Sequence, residues 1–313
     1  MQFLSKASKI DFMGKRKIAV SISAIVFLLA IVSLATQGLN LGLDFSGGTL
    51  IELRYQQPVD LKQTRNTLEQ AGFKDVIVQN FGTSHDIIIR IAPVEGTDGQ
   101  GLSTKITSAL QAEVDQDIET RRVEFVGPQI GEELTEEGGL AVLYALIGIF
   151  IYVFLRFEWR FAVGSVAALF HDVLITLGVF SAFQLDFDLT VLAAALAVIG
   201  YSLNDTIVVF DRIRENFRKM RKGTSIEIVN ASLNQTLSRT LMTSLTTLLV
   251  LGALFVVGGE LIHGFATALI IGVVVGTYSS IYIASTSALM LGISKQDMMP
   301  VKKEGVEDDG AVV

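Results

Sequence analysis

Ionisable side chains inside long apolar runs are the first candidates for chemistry, because a charge at membrane depth costs several kcal/mol unless paired or hydrated. Three places fit that description. Asn204-Asp205 interrupts an apolar run six residues before Asp211, Arg239 sits at the start of the next run, and His171-Asp172 lies well inside another. Helical spacing groups their neighbours. Arg239, Thr243, Thr246 and Thr247 fall at i, i+4, i+7 and i+8; Ser165, Asp172 and Thr176 make a second polar stripe; Tyr201, Asp205 and Val208 share a face. A membrane carboxylate with a facing arginine points to coupling with a proton gradient. Protonation neutralises the aspartate and releases the pair, which gives the helices two arrangements to switch between. Blander readings stand beside this one: an intrahelical hydrogen bond for Asp205, snorkelling of Arg239 to the cytoplasmic interface, and packing as readily as proton handling for His171 and Asp172.

The same inventory removes other chemistries. The chain has no cysteine, which excludes disulfides, thiolate metal sites and thiol catalysis. Its three histidines leave little for a histidine-built metal centre, so no metal is expected. There is no G-x-x-x-x-G-K-S/T sequence and no Rossmann glycine pattern in a strand–helix unit, so no nucleotide or other cofactor is expected. Gly42-Leu-Asp-Phe-Ser-Gly-Gly48 is glycine-rich but has no lysine to reach a phosphate, and reads as a turn leading into a strand. A net charge of −7 gives no nucleic-acid signal. His85 is isolated in a turn, and Glu260 and His263 sit in an external turn with no ligand set. No catalytic constellation emerges, and the chain does not read as an enzyme.

The elements that must position these residues are membrane helices. Half of the 313 residues are hydrophobic and 18% are charged, with a mean hydropathy of +0.51. Crossing about 30 Å of hydrocarbon takes about 20 apolar residues. Six stretches qualify: Ile18–Thr36, Gly138–Leu155, Phe161–Phe183, Leu189–Phe210, Thr240–Val257 and Phe265–Leu289. The first follows Lys15-Arg16-Lys17 as a signal peptide would, but it is longer than a signal core and five more spans follow, so it reads as uncleaved. Ala193–Ala195, Ala197 and Gly200 on the fourth span, and Gly272-x-x-x-Gly276 on the sixth, offer small residues for close packing.

Loop charge sets the orientation. Lys6, Lys9, Lys15, Arg16 and Lys17 precede span one; Arg156 and Arg160 lie between two and three. Arg212, Arg214, Arg218, Lys219, Arg221 and Lys222 lie between four and five, and Lys295, Lys302 and Lys303 follow six. The turns Gln184–Asp188 and Gly258–Gly264 contain neither lysine nor arginine. Both termini are therefore expected in the cytoplasm. Asp186, Asp188 and Asp211, at span ends, are expected to be solvated. The organisation reads as a cytoplasmic N-terminus over 1–17, a first span over 18–36, an external domain over 38–137, a five-helix membrane domain over 138–291 and a cytoplasmic tail over 292–313. The external segment carries 8 Lys/Arg against 17 Asp/Glu. That is a solvated acidic surface, or in a sharper reading an electrostatic partner face.

Within the external segment, Thr49–Tyr55 alternates at the strand period and Leu61–Ala71 is a polar helix ended by Gly72. Asp75–Phe81 and Asp86–Ile91 read as strands joined by Gly82, Thr83 and Ser84. Past the Pro93–Gly101 loop come the helix Leu102–Val114 and the strand Arg121–Val126. This strand–helix–strand–strand–helix–strand order is that of a ferredoxin-like fold. The expected fold class is a polytopic α-helical membrane protein of six spans, with one external α+β ferredoxin-like domain between spans one and two.

Several motifs in these positions resemble the SecD–SecF family of bacterial protein-export membrane proteins, in its smaller subunit. They are Gly42-Leu-Asp-Phe-Ser-Gly-Gly48, Val126-Gly-Pro-Gln-Ile-Gly131, His171-Asp-Val173, the run Gly200–Asn216 (GYSLNDTIVVFDRIREN) and Leu237-Ser-Arg-Thr240. The resemblance spans nearly the whole chain; 1–9 and 297–313 carry no pattern. It implies translocation of secreted polypeptides driven by the proton motive force, with a SecD-like subunit beside the SecYEG translocon in a Gram-negative inner membrane. It also implies the resistance–nodulation–division architecture of two six-span halves, of which this chain supplies one. The family's proton-transport aspartate and arginine fall on Asp205 and Arg239, and its motif after the first span on Gly42, Asp44, Phe45, Gly47 and Gly48. Asn204, His171, Asp172, Thr243, Thr246 and Thr247 are supporting polar residues. The implied partners are the SecD-like subunit, SecYEG, the unfolded exported polypeptide and membrane lipid, with no nucleic acid. Rival readings are a half-unit of a proton-driven small-molecule or lipid exporter, and a non-transporting translocon assembly factor.

Overall fold

The computed structural model of the chain describes residues 9–73, 76–93, 99–112, 117–220 and 222–294. Lys6, Asp75, Val114, Arg221, Lys295, Lys302 and Lys303, together with most of the Pro93–Gly101 loop, residues 1–8 and residues 297–313, lie outside the described residues.

Among the described residues, six helices are long and apolar enough to cross a membrane. They are α1 (Arg16–Thr36), α5 (Pro128–Arg156), α6 (Trp159–Ala182), α7 (Leu189–Lys219), α8 (Ser225–Val257) and a sixth built in three pieces. That last span runs through α9 (Glu260–Ser279), a π-helical turn at Ser280–Ala284 and α10 (Ser285–Met290). Several helices outrun the apolar stretches that announced them. α7 continues nine residues past Phe210, and α8 starts at Ser225 rather than Thr240. Hydropathy marks only the part of a helix that lipid or core requires. Polar turns beyond it are set by caps, here the Thr224/Glu227 capping box of α8. Arg239 therefore sits well inside a continuous helix rather than at its first turn.

Helices α6 and α7 form the centre of the bundle. Their apolar windows are 61% and 50% buried, against 11% for α5 and 17% for α8, so α5 and α8 present open faces. Phe161, Phe210, Phe217, Leu169 and Val229 fill one end of the core, and Phe180, Phe187 and Val191 the end nearer the sheet. Close approach of α9 to α7 depends on two glycines. A Cβ on Gly272 would lie 2.1 Å from a Val198 methyl, and one on Gly276 3.0 Å from Ser202 Cβ. The glycines of span six thus pack against span four at Val198 and Ser202, while Gly200, expected to serve such packing, has nothing within 4 Å of its Cβ position.

Between α1 and α5 the chain builds β1 (Asn40–Leu41), a one-turn helix α2 (Leu43–Ser46), β2 (Gly48–Tyr55), α3 (Leu61–Gln70), β3 (Ile77–Phe81), β4 (Thr83–Ile91), α4 (Gly99–Gln111) and β5 (Ile118–Val126). The four longer strands form one antiparallel sheet in the order β3-β4-β2-β5. Its buried side chains, among them Ile51, Leu53, Ile87, Ile89 and Val78, pack with Leu68 of α3 and Ile106 and Leu110 of α4. Asp60 caps α3 by accepting the Lys62 and Gln63 N–H groups. The β3–β4 connection is tighter than its composition suggested. Phe81 pairs with Thr83 around Gly82, so Ser84 and His85 belong to β4 and not to a turn. Two short pieces have no periodic signal at all: α2, and a parallel pair between β1 and β6 (Asp186–Phe187) that joins the end of span one to the α6–α7 turn.

Candidate functional site

Three polar centres result, two inside the bundle and one where it meets the sheet domain. The first surrounds Asp172, whose side chain is fully buried. Its Oδ2 accepts hydrogen bonds from Ser202 Oγ on α7 at 2.6 Å and Ser279 Oγ on α9 at 2.7 Å. Its Oδ1 lies 2.9 Å from His171 Nδ1, and His171 Nε2 lies 2.9 Å from Ser23 Oγ on α1. The Phe27 ring stacks on the imidazole at 6.1 Å. This carboxylate and the His171 it holds thus link four helices, with both carboxylate oxygens partnered, as burial demands. Thr176 of the expected stripe bonds the Asp172 carbonyl, while Ser165 Oγ is buried and unpartnered. Sequence singled out His171 and Asp172 but not Ser23, Ser202 or Ser279. Hydroxyls are frequent in apolar helices, and nothing in spacing separates these from serines bonded to their own backbone.

The second centre is at the seam of α7 and α8. Asp205 is 3% exposed, and its Oδ2 has no hydrogen-bond partner. Arg239 and Thr243 of α8 are the groups that act on it electrostatically. Thr206 Oγ1 and Thr240 Oγ1, on the same stretches of the two helices, are also buried without partners. Asp205 and Arg239 thus lie on adjoining helices, with no salt bridge between them among the described residues. Arg239, Asn204 and Thr246 are exposed at the bundle surface. The threonine stripe differs from expectation in one respect. Thr243 and Thr246 turn their hydroxyls to backbone carbonyls of α8 itself, as threonines in helices commonly do. Half-buried Thr247 lies further along the helix. Tyr201 reaches α8 through Ser244 Oγ at 3.5 Å, and Ser244 bonds Thr277 of α9 at 2.6 Å.

The third centre is the glycine-rich segment. Gly48 has φ +119, and a Cβ there would come within 2.3 Å of the Ile91 carbonyl oxygen, so only glycine lets β2 start where it does. Asp44 Oδ2 accepts the N–H of Leu189, the first residue of α7, at 3.0 Å. The Phe45 ring packs against Phe187 at 5.7 Å. Asp186 is a correction to expectation: it is only partly solvated. It accepts from Arg90, from Asn40 Nδ2 at 2.7 Å and from Gln79 Nε2 at 3.3 Å. Asp188 caps α7 through the Val191 N–H at 2.8 Å, and Asp211 lies 3.5 Å from Arg156.

Residues 106–294 match the family described as protein export membrane protein SecD/SecF, C-terminal, and residues 32–59 match the SecD/SecF GG motif. The chain belongs to the SecD/SecF protein-export family. It is 54% identical over 310 residues to the protein translocase subunit SecF of Vibrio alginolyticus, covering 98% of both chains. It is 50% identical to that of Pseudomonas aeruginosa, covering 97% of this chain and 98% of the other. The crystal structure of SecDF, a translocon-associated membrane protein from Thermus, overlays with a TM-score of 0.83 at 38% identity. The overlay covers 93% of this chain and 39% of that one, so this SecD/SecF member spans about two fifths of the solved chain's length. The matched GG motif includes the third centre, and the C-terminal match contains both intramembrane centres. With six apolar helices and these relatives, the chain is a multi-pass membrane protein of SecDF type.

Proposed function

We propose that this chain is the smaller subunit of a SecD–SecF-type complex and uses the proton motive force to drive late steps of polypeptide export beside a SecYEG-like channel. The complex sits in the inner membrane. Both termini are cytoplasmic, and residues 38–137, read as a ferredoxin-like domain, are periplasmic; 1–17 and 292–313 flank the spans over 18–36 and 138–291. The observation that carries the mechanism is the buried, unpartnered Asp205 Oδ2 facing Arg239 and Thr243 across a helix seam.

A carboxylate so placed has two states with different demands. Ionised, it draws the Arg239 guanidinium and the α8 helix toward it; protonated, it is neutral and that attraction is gone. A seam with two preferred separations converts proton binding into helix displacement. Moving one proton through the field supplies about 2.3 kcal/mol per 100 mV, a small step, so repeated cycles would advance the polypeptide. Partnership has its own support. The solved SecDF chain extends well beyond this overlay, and the exposed Arg239 and Asn204 need cover that lipid does not provide.

The test is secretion of a reporter in cells and in inverted vesicles, with and without a proton gradient. Asp205→Asn should remove the gradient-dependent part while the protein inserts and assembles normally. Arg239→Lys should retain part of it, since charge is kept but the planar fork is lost. Full gradient stimulation of Asp205→Asn would refute the switch.

A further inference from the structure

The sheet domain and the membrane bundle enclose a cavity of about 290 Å³ between them. One wall is the sheet, through Arg90 of β4 and Arg122 and Glu124 of β5. The other is formed by the ends of two membrane-crossing helices, through Asp188, the N-cap of α7, and Glu260, the first residue of α9. The apolar runs of both helices begin within a few residues of these positions. The cavity therefore lies at the depth of lipid headgroups and not in the hydrocarbon.

Its polar groups are of two kinds, and both are incompletely matched. The Nε atoms of Arg90 and Arg122 are buried, and neither has a hydrogen-bond partner among the described residues. Arg90 donates to Asp186 through a terminal nitrogen. Arg122 Nε lies 3.4 Å from Glu124 and 3.9 Å from Glu52, ion-pair distances without the alignment of a hydrogen bond. A buried cationic donor without an acceptor costs free energy, and an acceptor placed in the cavity removes that cost. Against the two arginines stand five lining carboxylates, of which three are engaged. Asp44 accepts the Leu189 N–H, Asp188 the Val191 N–H, and Asp186 the Arg90, Asn40 and Gln79 donors. That leaves Glu124 beside Arg122, and Glu260, exposed at the first turn of α9. A wholly anionic ligand would meet this excess of negative charge, and a wholly cationic one would leave the arginine donors unmatched.

We propose that the cavity binds the headgroup of a zwitterionic phospholipid that carries a primary amine. Its phosphate oxygens accept from Arg90 and Arg122, whose guanidinium groups suit a phosphate. Its ammonium donates to Glu260 and Glu124. The volume is at the lower edge of small-molecule sites, which is room for a headgroup and not for a whole lipid. The acyl chains leave past Leu261, which lines the cavity and is 56% exposed, and past its exposed neighbour Ile262. A lipid so held bridges β4 and β5 to the start of α9.

The test uses the full chain, purified in its complex and stripped of lipid in detergent. It is titrated with phosphatidylethanolamine, phosphatidylglycerol or phosphatidylcholine of identical acyl chains, and bound lipid is counted by native mass spectrometry. Phosphatidylethanolamine, with both charges and N–H donors, should bind about tenfold more tightly than either of the others, the worth of one charge-assisted hydrogen bond. Arg122→Gln should weaken it about tenfold. Glu260→Gln should bring it down to the level of phosphatidylglycerol. Equal binding of the three lipids by the wild type, or an undiminished preference in Glu260→Gln, overturns the proposal. Because Glu260 is exposed, its variant decides the matter if Arg122→Gln, which also loses Glu124 and Glu52, fails to fold. Free phosphoethanolamine separates a lipid from a soluble ligand. No displacement of the lipid at about hundredfold excess supports the lipid; displacement below that excess assigns the site to a soluble ligand and overturns it.

Discussion

Substituting Asp172 separates the two things a buried carboxylate supplies, an acceptor and a charge. In Asp172→Ala the Ser202 and Ser279 hydroxyls and His171 Nδ1 lose their common partner. Ser279 has a fallback in the Gly276 carbonyl at 3.2 Å, and Ser202 can turn to its own helix backbone. His171 has none, fixed as it is between the Phe27 ring and Ser23. At about 1–3 kcal/mol per buried polar group left unpaired, and with the small void added, the loss should be about 3–5 kcal/mol. Asp172→Asn is different. Its carbonyl oxygen can accept both serines, and its amide can donate to His171 Nδ1 in the other tautomer, whose Nε2–H then bonds Ser23 Oγ. All links survive without the charge, so the cost should be about 1 kcal/mol or less. Heating the purified complex and measuring the folded fraction of a fluorescent fusion reads this out. Taking about 2–4 °C per kcal/mol, alanine should lower the apparent Tm by about 6–20 °C and asparagine by no more than about 4 °C. Equal damage from both would mean that charge, not acceptor geometry, holds the four helices; no damage from alanine would mean the network holds nothing.

The remaining predictions are simpler. Hydrogen bonds from Arg54 at 2.5 Å and Thr83 at 2.6 Å hold the Asp86 carboxyl down at about 2. A carboxyl lowered on folding stabilises the fold above its ordinary range near 4 and withdraws that support as pH falls toward 2. Proteolysis of the external domain in the intact chain should therefore rise between about pH 4 and 2, with a shallower rise in Asp86→Asn; identical slopes would count against the pair. Gly48→Ala, facing both the Ile91 carbonyl and an unfavourable φ, should cost about 2 kcal/mol or more and lower the yield of assembled complex; an unchanged yield would show that β2 can shift. Reporter fusions at Thr97 and Glu260 should read as external and one at Lys219 as cytoplasmic, and a cytoplasmic signal at Thr97 would overturn the orientation.

Legibility followed the physics behind each signal. Spans were plain because lipid demands apolar runs of fixed length, and a strand such as β4 was plain because its run of β-branched residues is buried on both faces, Ile87 and Ile89 in one cluster and Ile88 in another. The two intramembrane carboxylates were plain because a charge there is costly. Helix ends were not, since the C-terminal turns of α7 and the N-terminal turns of α8 lie outside the apolar stretches, the latter set by a capping box. The fate of each polar group was also hidden. Asp186 and Asp188 sit two residues apart in one turn, yet one takes Arg90 from a distant strand and the other caps its own helix. Local sequence is the same kind of acidic turn in both cases; only the tertiary fold chooses. Asp44 shows the same limit, its partner being the backbone of Leu189.

The contrast between the two buried aspartates carries the mechanistic argument further than either alone. Asp172 has both carboxylate oxygens partnered, by Ser202 of α7, Ser279 of α9 and His171 of its own helix, and His171 carries the link on to Ser23 of α1, which suits a fixed point. Asp205, three residues beyond Ser202 on α7, is nearly as buried but has an oxygen left unpaired, in a chain that otherwise satisfies its deep polar atoms with few exceptions among the described residues. Burying an unmatched carboxylate oxygen costs free energy that folding alone would not retain. The helix that carries it is clamped on one side, through Ser202 to α6, and faces α8 on the other. Because α8 is the more open of the two neighbours, a change at Asp205 has somewhere to go: it shifts the α7–α8 seam while the Asp172 centre keeps the rest of the bundle in place.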